Sequence, residues 1–137
     1  RYDNLTEHSG TIAAIEFGIC ALNIKNIIVM GHSGCGGIKN GFHMCKDNEF
    51  ETSSSAIPKW LQILKPAYET LSNEDEEKMI NELEKVSIIS SLENLKQYPF
   101  VKKGLEGNEI NIFGIWNDIG SGNLESFNKK TENFEKI

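Results

Sequence analysis

The chain has 137 residues, of which 39% are hydrophobic and 25% charged, and its formal net charge is −6. This length suits a single domain, residues 1–137, and the acidic charge argues against nucleic-acid and anionic-membrane partners, which do not attract a negatively charged protein. No apolar stretch approaches the length of a membrane span. Three cysteines are a poor disulfide framework, although Cys35 and Cys45 remain a conceivable pair, so a reducing, cytoplasmic setting is expected.

The first apolar segment covers residues 12–24 and is interrupted only by Glu16, Gly18 and Asn23. A segment that is apolar nearly all round predicts a helix buried on most of its faces. Asn23 is expected to begin the C-terminal turn of this helix. Cys20, inside the segment, is interpreted as a small core residue.

Residues 27–30 form a short, continuous apolar run rich in β-branched side chains. Such a run is typical of a strand covered on both faces, which favours a parallel sheet with helices on each side. A glycine-rich loop follows, and residues 38–42 are expected to form a short helix. Residues 45–55 are polar and predict a loop that ends in a helix cap.

The middle of the chain predicts helices. Apolar residues between positions 57 and 71 recur at helical spacing; Pro58 suits the first turn, and Pro66 should kink or divide the helix. A second helix is expected from about Glu74, with an acidic first turn that suits the helix dipole and an end at Tyr98 and Pro99.

The last third of the chain predicts strands. Residues 109–116 alternate in polarity as a strand does, residues 118–123 are a turn, and residues 124–127 are expected to return as a short edge strand before a frayed, charged tail. The order of helix, strand, helices and strand predicts an α/β domain with a mostly parallel sheet flanked by helices.

The chemistry of the sequence concentrates between Gly31 and Gly37, where His32 and Cys35 follow the first predicted strand. A nucleophile elbow around Ser33 would need glycine where Cys35 stands. A dinucleotide phosphate loop would need glycine where Lys39 stands. These two interpretations are therefore disfavoured, although weak anion binding at the helix N-terminus stays open.

Two further interpretations of the loop remain. Cys35 beside His32 could be a nucleophilic thiolate, but a phosphatase-type loop would have arginine where Gly41 stands. Thiolate and imidazole together favour zinc, and His43 and Cys45 are candidates to complete such a site. The residue types alone thus predict half of a zinc site, with a hydrogen-bonded turn histidine and a small buried cysteine as the plain alternative.

Four segments of the chain closely resemble the β-class carbonic anhydrases. They are residues 10–17 (GTIAAIEF), 27–39 (IIVMGHSGCGGIK), 91–101 (SLENLKQYPFV) and 113–124 (FGIWNDIGSGNL). They cover nearly the whole chain in the family's order, and the His-x-x-Cys-Gly-Gly core is specific.

The resemblance implies a site in which zinc is bound by two cysteines and one histidine, and His32 and Cys35 match two of these ligands. The family's first cysteine belongs to a Cys-x-Asp-x-Arg motif on an earlier strand, which this sequence lacks. The resemblance therefore implies an N-terminally truncated domain, without the first active-site strand. No catalytic residue is expected in this chain, because the family's Asp–Arg pair lies upstream.

The implied function is zinc-dependent, reversible hydration of carbon dioxide to bicarbonate by the full-length parent, and this chain alone is expected to be inactive or nearly so. The alternatives are a non-catalytic zinc-binding or assembly module and a family hydrolase of carbon disulfide or carbonyl sulfide. The resemblance also implies a homodimer or higher homo-oligomer. Asn117 falls where some members place the tyrosine of an inhibitory bicarbonate pocket, so that mode of inhibition is expected to be absent.

Overall fold

The computed structural model describes residues 9–52 and 55–137, apart from the side chains of residues 51 and 52. The helices are α1 (Ser9–Cys20), α2 (Gly36–Asp47), α3 (Ala56–Leu61), α4 (Lys65–Tyr68), α5 (Glu76–Lys96) and α6 (Pro99–Glu106). The strands are β1 (Asn26–His32), β2 (Asn111–Asn117), β3 (Leu124–Asn128) and β4 (Asn133–Lys136). Short 3₁₀ turns cover Glu49–Thr52 and Gln62–Leu64.

The four strands form one sheet in the order β1-β2-β3-β4. β1 and β2 are parallel, with His32 opposite Asn117, whereas β2 pairs with β3 and β3 with β4 in antiparallel fashion. The predicted α/β class, with helices flanking a sheet, is confirmed. The sheet itself is mixed, because the short connections that return the chain to β3 and β4 permit only antiparallel neighbours.

The long helix α5 lies directly against β1 and β2 because two glycines face it. A Cβ atom at Gly31 would lie 2.8 Å from Ile88 Cδ1, and one at Gly114 would lie 2.8 Å from Ile88 Cγ2 and 3.0 Å from Leu92 Cδ1. Real Cβ atoms essentially never approach this closely, so any larger residue would require Ile88 or Leu92 to shift. This close approach brings α5 beneath the ends of both strands.

The core lies where α5 meets the other helices and the inner face of the sheet. Phe42 of α2 packs with Leu83 of α5 and Ala67 of α4. A second group joins Phe50, Leu61 and Leu64, and a third joins Leu95, Val101 and Ile110. The predicted division of the middle helix is confirmed, since α3 and α4 are separate and Pro66 lies in the first turn of α4.

The prediction that the first helix is buried on most faces is wrong for the described part of the chain. Ile12 is the buried residue of α1, whereas Phe17 is 60% exposed and Cys20, expected in the core, is exposed. α1 contacts α6 on one side. A helix that is apolar all round carries no pattern that says which face is covered, so its burial depends on its neighbours.

The prediction that the first strand is covered on both faces is also wrong for the described residues. α5 covers the face of Ile27 and Val29, but Ile28 is 57% exposed and Met30 58% exposed on the other. Phe113 of β2 is 43% exposed. These three residues, Ile28, Met30 and Phe113, are called the outer sheet face below.

Several boundaries differ from those predicted. α2 extends to Asp47, past the expected end at residue 42, so the first part of the predicted 45–55 loop is helical. The helix expected from Glu74 begins at Glu76, capped by the Asp75 side chain. Pro99 ends that helix as predicted but also opens α6, which was not predicted. The predicted frayed tail forms β4, so β3 is not an edge strand.

Candidate metal centre

The candidate site lies where β1 ends and α2 begins. The Ser33 N–H donates a 2.9 Å hydrogen bond to the carbonyl of Asn117, which extends the parallel pairing one step past His32. Gly34 then adopts φ +66°, a left-handed conformation that turns the chain toward α2. The carboxyl end of parallel strands is where α/β proteins commonly place ligands.

His32 is exposed, and one of its ring nitrogens is already occupied. Nδ1 lies 2.9 Å from the carbonyl oxygen of Ser33. A carbonyl oxygen can only accept, so this hydrogen bond requires the proton on Nδ1, and Nε2 has no hydrogen-bond partner within the described residues. A metal-binding histidine commonly donates its other ring N–H to a backbone carbonyl in this way.

Cys35 is half-buried, has a free thiol and occupies the N-cap position of α2. Its side chain makes no capping hydrogen bond, so the sulfur is not engaged with the helix backbone. Its backbone N–H donates to Glu84 Oε1 at 3.3 Å. His32 thus ends β1, and Cys35 lies three residues further on, where α2 begins.

A hydrogen-bonded network ties this loop to the turn after β2. The Ser33 hydroxyl donates to Asp118 Oδ1 at 3.1 Å and accepts from the Ile119 N–H at 2.9 Å. The Ser121 hydroxyl and the Gly120 N–H also donate to Asp118. These donors, Ser121 first, hold the pKa of Asp118 below its usual value. Ser33 thus links the loop after β1 to the turn after β2, a structural role that differs from that of a nucleophile.

Glu84 of α5 is a second residue that the sequence analysis missed. Its side chain is 2% exposed and accepts from the Cys35 N–H and from Trp116 Nε1–H, both at 3.3 Å. One signal was available: Glu84 lies four residues after Ile80 and four before Ile88, on the apolar stripe of its helix. A carboxyl group on such a stripe is buried when the helix packs, so it needs specific hydrogen-bond donors.

His43 and Cys45 do not join this loop. Nε2 of His43 lies 3.1 Å from Glu76 Oε1, and Cys45 packs against the core group of Phe50, Leu61 and Leu64. Burial raises the pKa of the Cys45 thiol. Cys35 and Cys45 are both free thiols, and His8 lies outside the described residues. Within residues 9–52 and 55–137, no group of three or more metal-ligating side chains is found.

The two donors present fit part of a zinc site. A cysteine sulfur and an imidazole nitrogen are the ligand types that zinc prefers, and Nε2 is the ring nitrogen of His32 that its hydrogen bond leaves available. A catalytic zinc usually has three protein ligands. The described residues place no third such donor with His32 and Cys35.

Comparison with known proteins identifies the family. A family model described as carbonic anhydrase matches residues 3–124. The chain is 38% identical over 128 residues to beta carbonic anhydrase 3 of Arabidopsis thaliana, covering 90% of this chain and 49% of the relative. It is 31% identical over 138 residues to a carbonic anhydrase of Helicobacter pylori, covering 96% of this chain and 61% of the relative. The chain belongs to the β-class carbonic anhydrase family.

Solved structures agree on the fold. The β-carbonic anhydrase CcaA matches 93% of this chain with a TM-score of 0.77 at 24% identity, covering 63% of that chain. A structure reported among two tetrameric β-carbonic anhydrases of Sordaria macrospora matches 85% of this chain with a TM-score of 0.66 at 20% identity. The chain spans between about half and three fifths of the length of the curated relatives it matches. None of the helices in the described residues is both long and apolar enough to cross a membrane.

Proposed function

We propose that the protein catalyses the zinc-dependent, reversible hydration of carbon dioxide to bicarbonate, with His32 and Cys35 as two of three zinc ligands. One observation carries the assignment of these ligands. In a chain of this family, the Nδ1 of His32 is bound to a backbone carbonyl, Nε2 has no hydrogen-bond partner within the described residues, and a free cysteine follows three residues later, after the end of a parallel strand.

The third ligand, in this proposal, is a cysteine outside residues 1–137, in a Cys-x-Asp-x-Arg segment that also supplies the catalytic aspartate and arginine. The absence of a third donor near His32 and Cys35 in the described residues supports this view. So does the position of β1, which pairs with β2 on one side and has a free backbone edge on the other within the described sheet. A further strand has hydrogen-bonding groups to pair with there.

Zinc, when bound, would supply the Lewis acidity that makes water a nucleophile at neutral pH. The residues of this chain would hold and orient the metal. His32 and Cys35 would be the donors, while the bonds from Ser33 to Asp118 and from Cys35 to Glu84 keep their backbones in place. Without the third ligand the zinc affinity is lower, so residues 1–137 alone are expected to be inactive or nearly so.

We also propose that the protein is a cytoplasmic homodimer or higher homo-oligomer. The tetrameric β-carbonic anhydrases of Sordaria macrospora provide one precedent, and the exposed outer sheet face, Ile28, Met30 and Phe113, offers apolar surface for covering. Asn117, whose carbonyl accepts from the Ser33 N–H, lacks the phenol of the inhibitory pocket described above. We therefore expect no bicarbonate inhibition of that kind.

The test is to measure zinc content and carbon dioxide hydration for residues 1–137 and for the longest natural form of the protein. His32→Ala and Cys35→Ala should remove stoichiometric zinc, whereas the matched variants His43→Ala and Cys45→Ala should retain it. Stoichiometric zinc in a His32→Ala, Cys35→Ala double variant would refute the ligand assignment. Zinc retention without hydration in the longest form would favour a binding module, and activity on carbon disulfide or carbonyl sulfide instead would favour the hydrolase.

A further inference from the structure

Among the described residues, Glu84 is the buried charged residue, and its carboxyl group is satisfied without an ion pair. The side chain is 2% exposed, and it pairs with no cation within the described residues. The neighbouring Lys85 pairs instead with Glu125, its Nζ lying 2.5 Å from Glu125 Oε2 and 4.4 Å from the centre of the Trp116 ring. Burying a carboxyl group costs free energy unless donors satisfy it, so its two N–H partners must repay that cost.

Those two partners belong to different parts of the site. The Cys35 N–H is in the loop before α2, and Trp116 Nε1–H is on β2. The sequence separations are 49 and 32 residues, so neither contact is local. Glu84 reaches both because Gly31 admits α5 closely: a Cβ there would lie 3.5 Å from the Glu84 carbonyl oxygen as well as against Ile88.

The loop that carries Cys35 has little rigidity of its own. Gly34 precedes Cys35, and Gly36 and Gly37 follow it. Glycine restricts the backbone less than any other residue, so ordering such a loop costs more conformational entropy than ordering an ordinary one. The Cys35 carbonyl accepts from the Lys39 N–H at 3.0 Å, where α2 begins, and the Cys35 N–H is held by Glu84, which lies on another helix.

We propose that Glu84 is a positioning residue of the zinc site: by accepting from the Cys35 N–H and Trp116 Nε1–H, it fixes the direction in which Cys35 presents its sulfur. The inference rests on the proposed function, in which Cys35 is a zinc ligand. Outer hydrogen bonds that orient metal ligands commonly change metal affinity when they are removed.

The first measurement reports the reactivity of the Cys35 sulfur and needs no metal. In metal-free residues 1–137, the alkylation rates of Cys35, Cys20 and Cys45 are compared by peptide mass spectrometry. Glu84→Gln keeps the size of the side chain but turns one of its acceptors into a donor, so we expect Cys35 to react at least about threefold faster. Glu93→Gln, an exposed change on the same helix, should leave all three rates unchanged.

The rates of Cys20 and Cys45 separate a local effect from general loosening. If Glu84→Gln accelerates all three cysteines equally, or leaves Cys35 as in the wild type, the positioning role is refuted. Thermal unfolding of the same samples establishes that each variant is folded at the temperature of alkylation.

A second substitution tests the two-donor geometry. In Glu84→Gln the new amide N–H₂ must face one of the two N–H donors. Trp116→Phe removes the donor on β2, so the remaining amide oxygen can accept from the Cys35 N–H. The Glu84→Gln, Trp116→Phe double variant should return the Cys35 rate to within about twofold of Trp116→Phe alone. Simple addition of the two single effects would contradict the proposal.

Zinc affinity in the longest natural form, measured by chelator competition, distinguishes this inference from the proposed function. Glu84→Gln should weaken zinc binding by about tenfold, whereas Cys35→Ala should remove it. Zinc binding that survives Cys35→Ala refutes the proposed function. Suppose that Cys35→Ala loses zinc, whereas Glu84→Gln keeps wild-type zinc affinity and wild-type Cys35 reactivity. This result refutes the positioning role alone.

Discussion

The chain contains two histidine–cysteine pairs that look alike as residue types and differ in their surroundings. His32 ends β1 and Cys35 caps α2; within the described residues Nε2 of His32 has no hydrogen-bond partner, and the Cys35 sulfur makes no capping bond. His43 and Cys45 lie on α2, where Nε2 of His43 is engaged by Glu76 and Cys45 packs into the core. The same donor types thus serve a candidate site in one place and ordinary structure in the other.

The difference follows from where each pair sits in its element. In a strand-to-helix loop, the backbone N–H and carbonyl groups have no partners within a strand or a helix. They bond to other segments instead, and these bonds hold the loop. Side chains on α2 have their backbone bonded within the helix, so they face either solvent or core. At His43 the partner is the Glu76 carboxylate, which also pairs with Lys46 and is thereby engaged in a surface ion pair.

The largest effect is expected from Phe42→Ala, beside His43. Phe42 is 1% exposed and packs edge-on against Tyr68 at 5.3 Å between ring centres. Its removal leaves a cavity and should lower the free energy of unfolding by about 3–5 kcal/mol in urea denaturation. The control Phe17→Ala, at a 60% exposed position, should change it by about 0.5 kcal/mol or less. A cost below about 1 kcal/mol for Phe42→Ala would show that α2 is not anchored as described.

A smaller effect is expected from Gly31→Ala, beside His32. The new Cβ would lie 2.8 Å from Ile88 Cδ1, so we expect urea denaturation to show a loss of about 1–3 kcal/mol from overpacking. Adding Ile88→Val removes that methyl group and should recover part of the loss. Gly36→Ala, where a Cβ meets nothing within 4 Å, is the control. Failure of Ile88→Val to rescue Gly31→Ala would argue against a close α5–β1 contact.

The smallest effect is the pH dependence contributed by Asp118. Its pKa is lowered in the folded chain, so its stabilising contribution is fully present above the unfolded pKa, near 3.8, and is lost as the pH falls through the folded value. Asp118→Asn should therefore destabilise the protein more at pH 6 than at pH 3 in urea denaturation. Asp47→Asn, at the exposed end of α2, is the control substitution. Equal losses for Asp118→Asn at both pH values would refute the ionic role.

The secondary structure was predictable where the chain carries local signals. The β-branched run indicates β1, Pro66 divides α3 from α4, and Pro99 ends α5. β4 was missed because Asn133–Lys136 has no apolar alternation of its own and is a strand only through its pairing with β3. The exposure of α1 and of the outer sheet face was missed for a related reason: an apolar pattern says that a surface prefers burial, not that a neighbour covers it.

The sequence by itself determined the α/β class, the loop that holds His32 and Cys35, and the resemblance to the β-class carbonic anhydrases, because each depends on residues that are close together in the chain. Only the tertiary structure decided how that loop is held. Ser33 meets Asp118 from 85 residues away, and Cys35 meets Glu84 from 49 residues away. Such contacts depend on the distance between packed elements, here set by Gly31 and Gly114 beneath α5, and no local pattern encodes that distance.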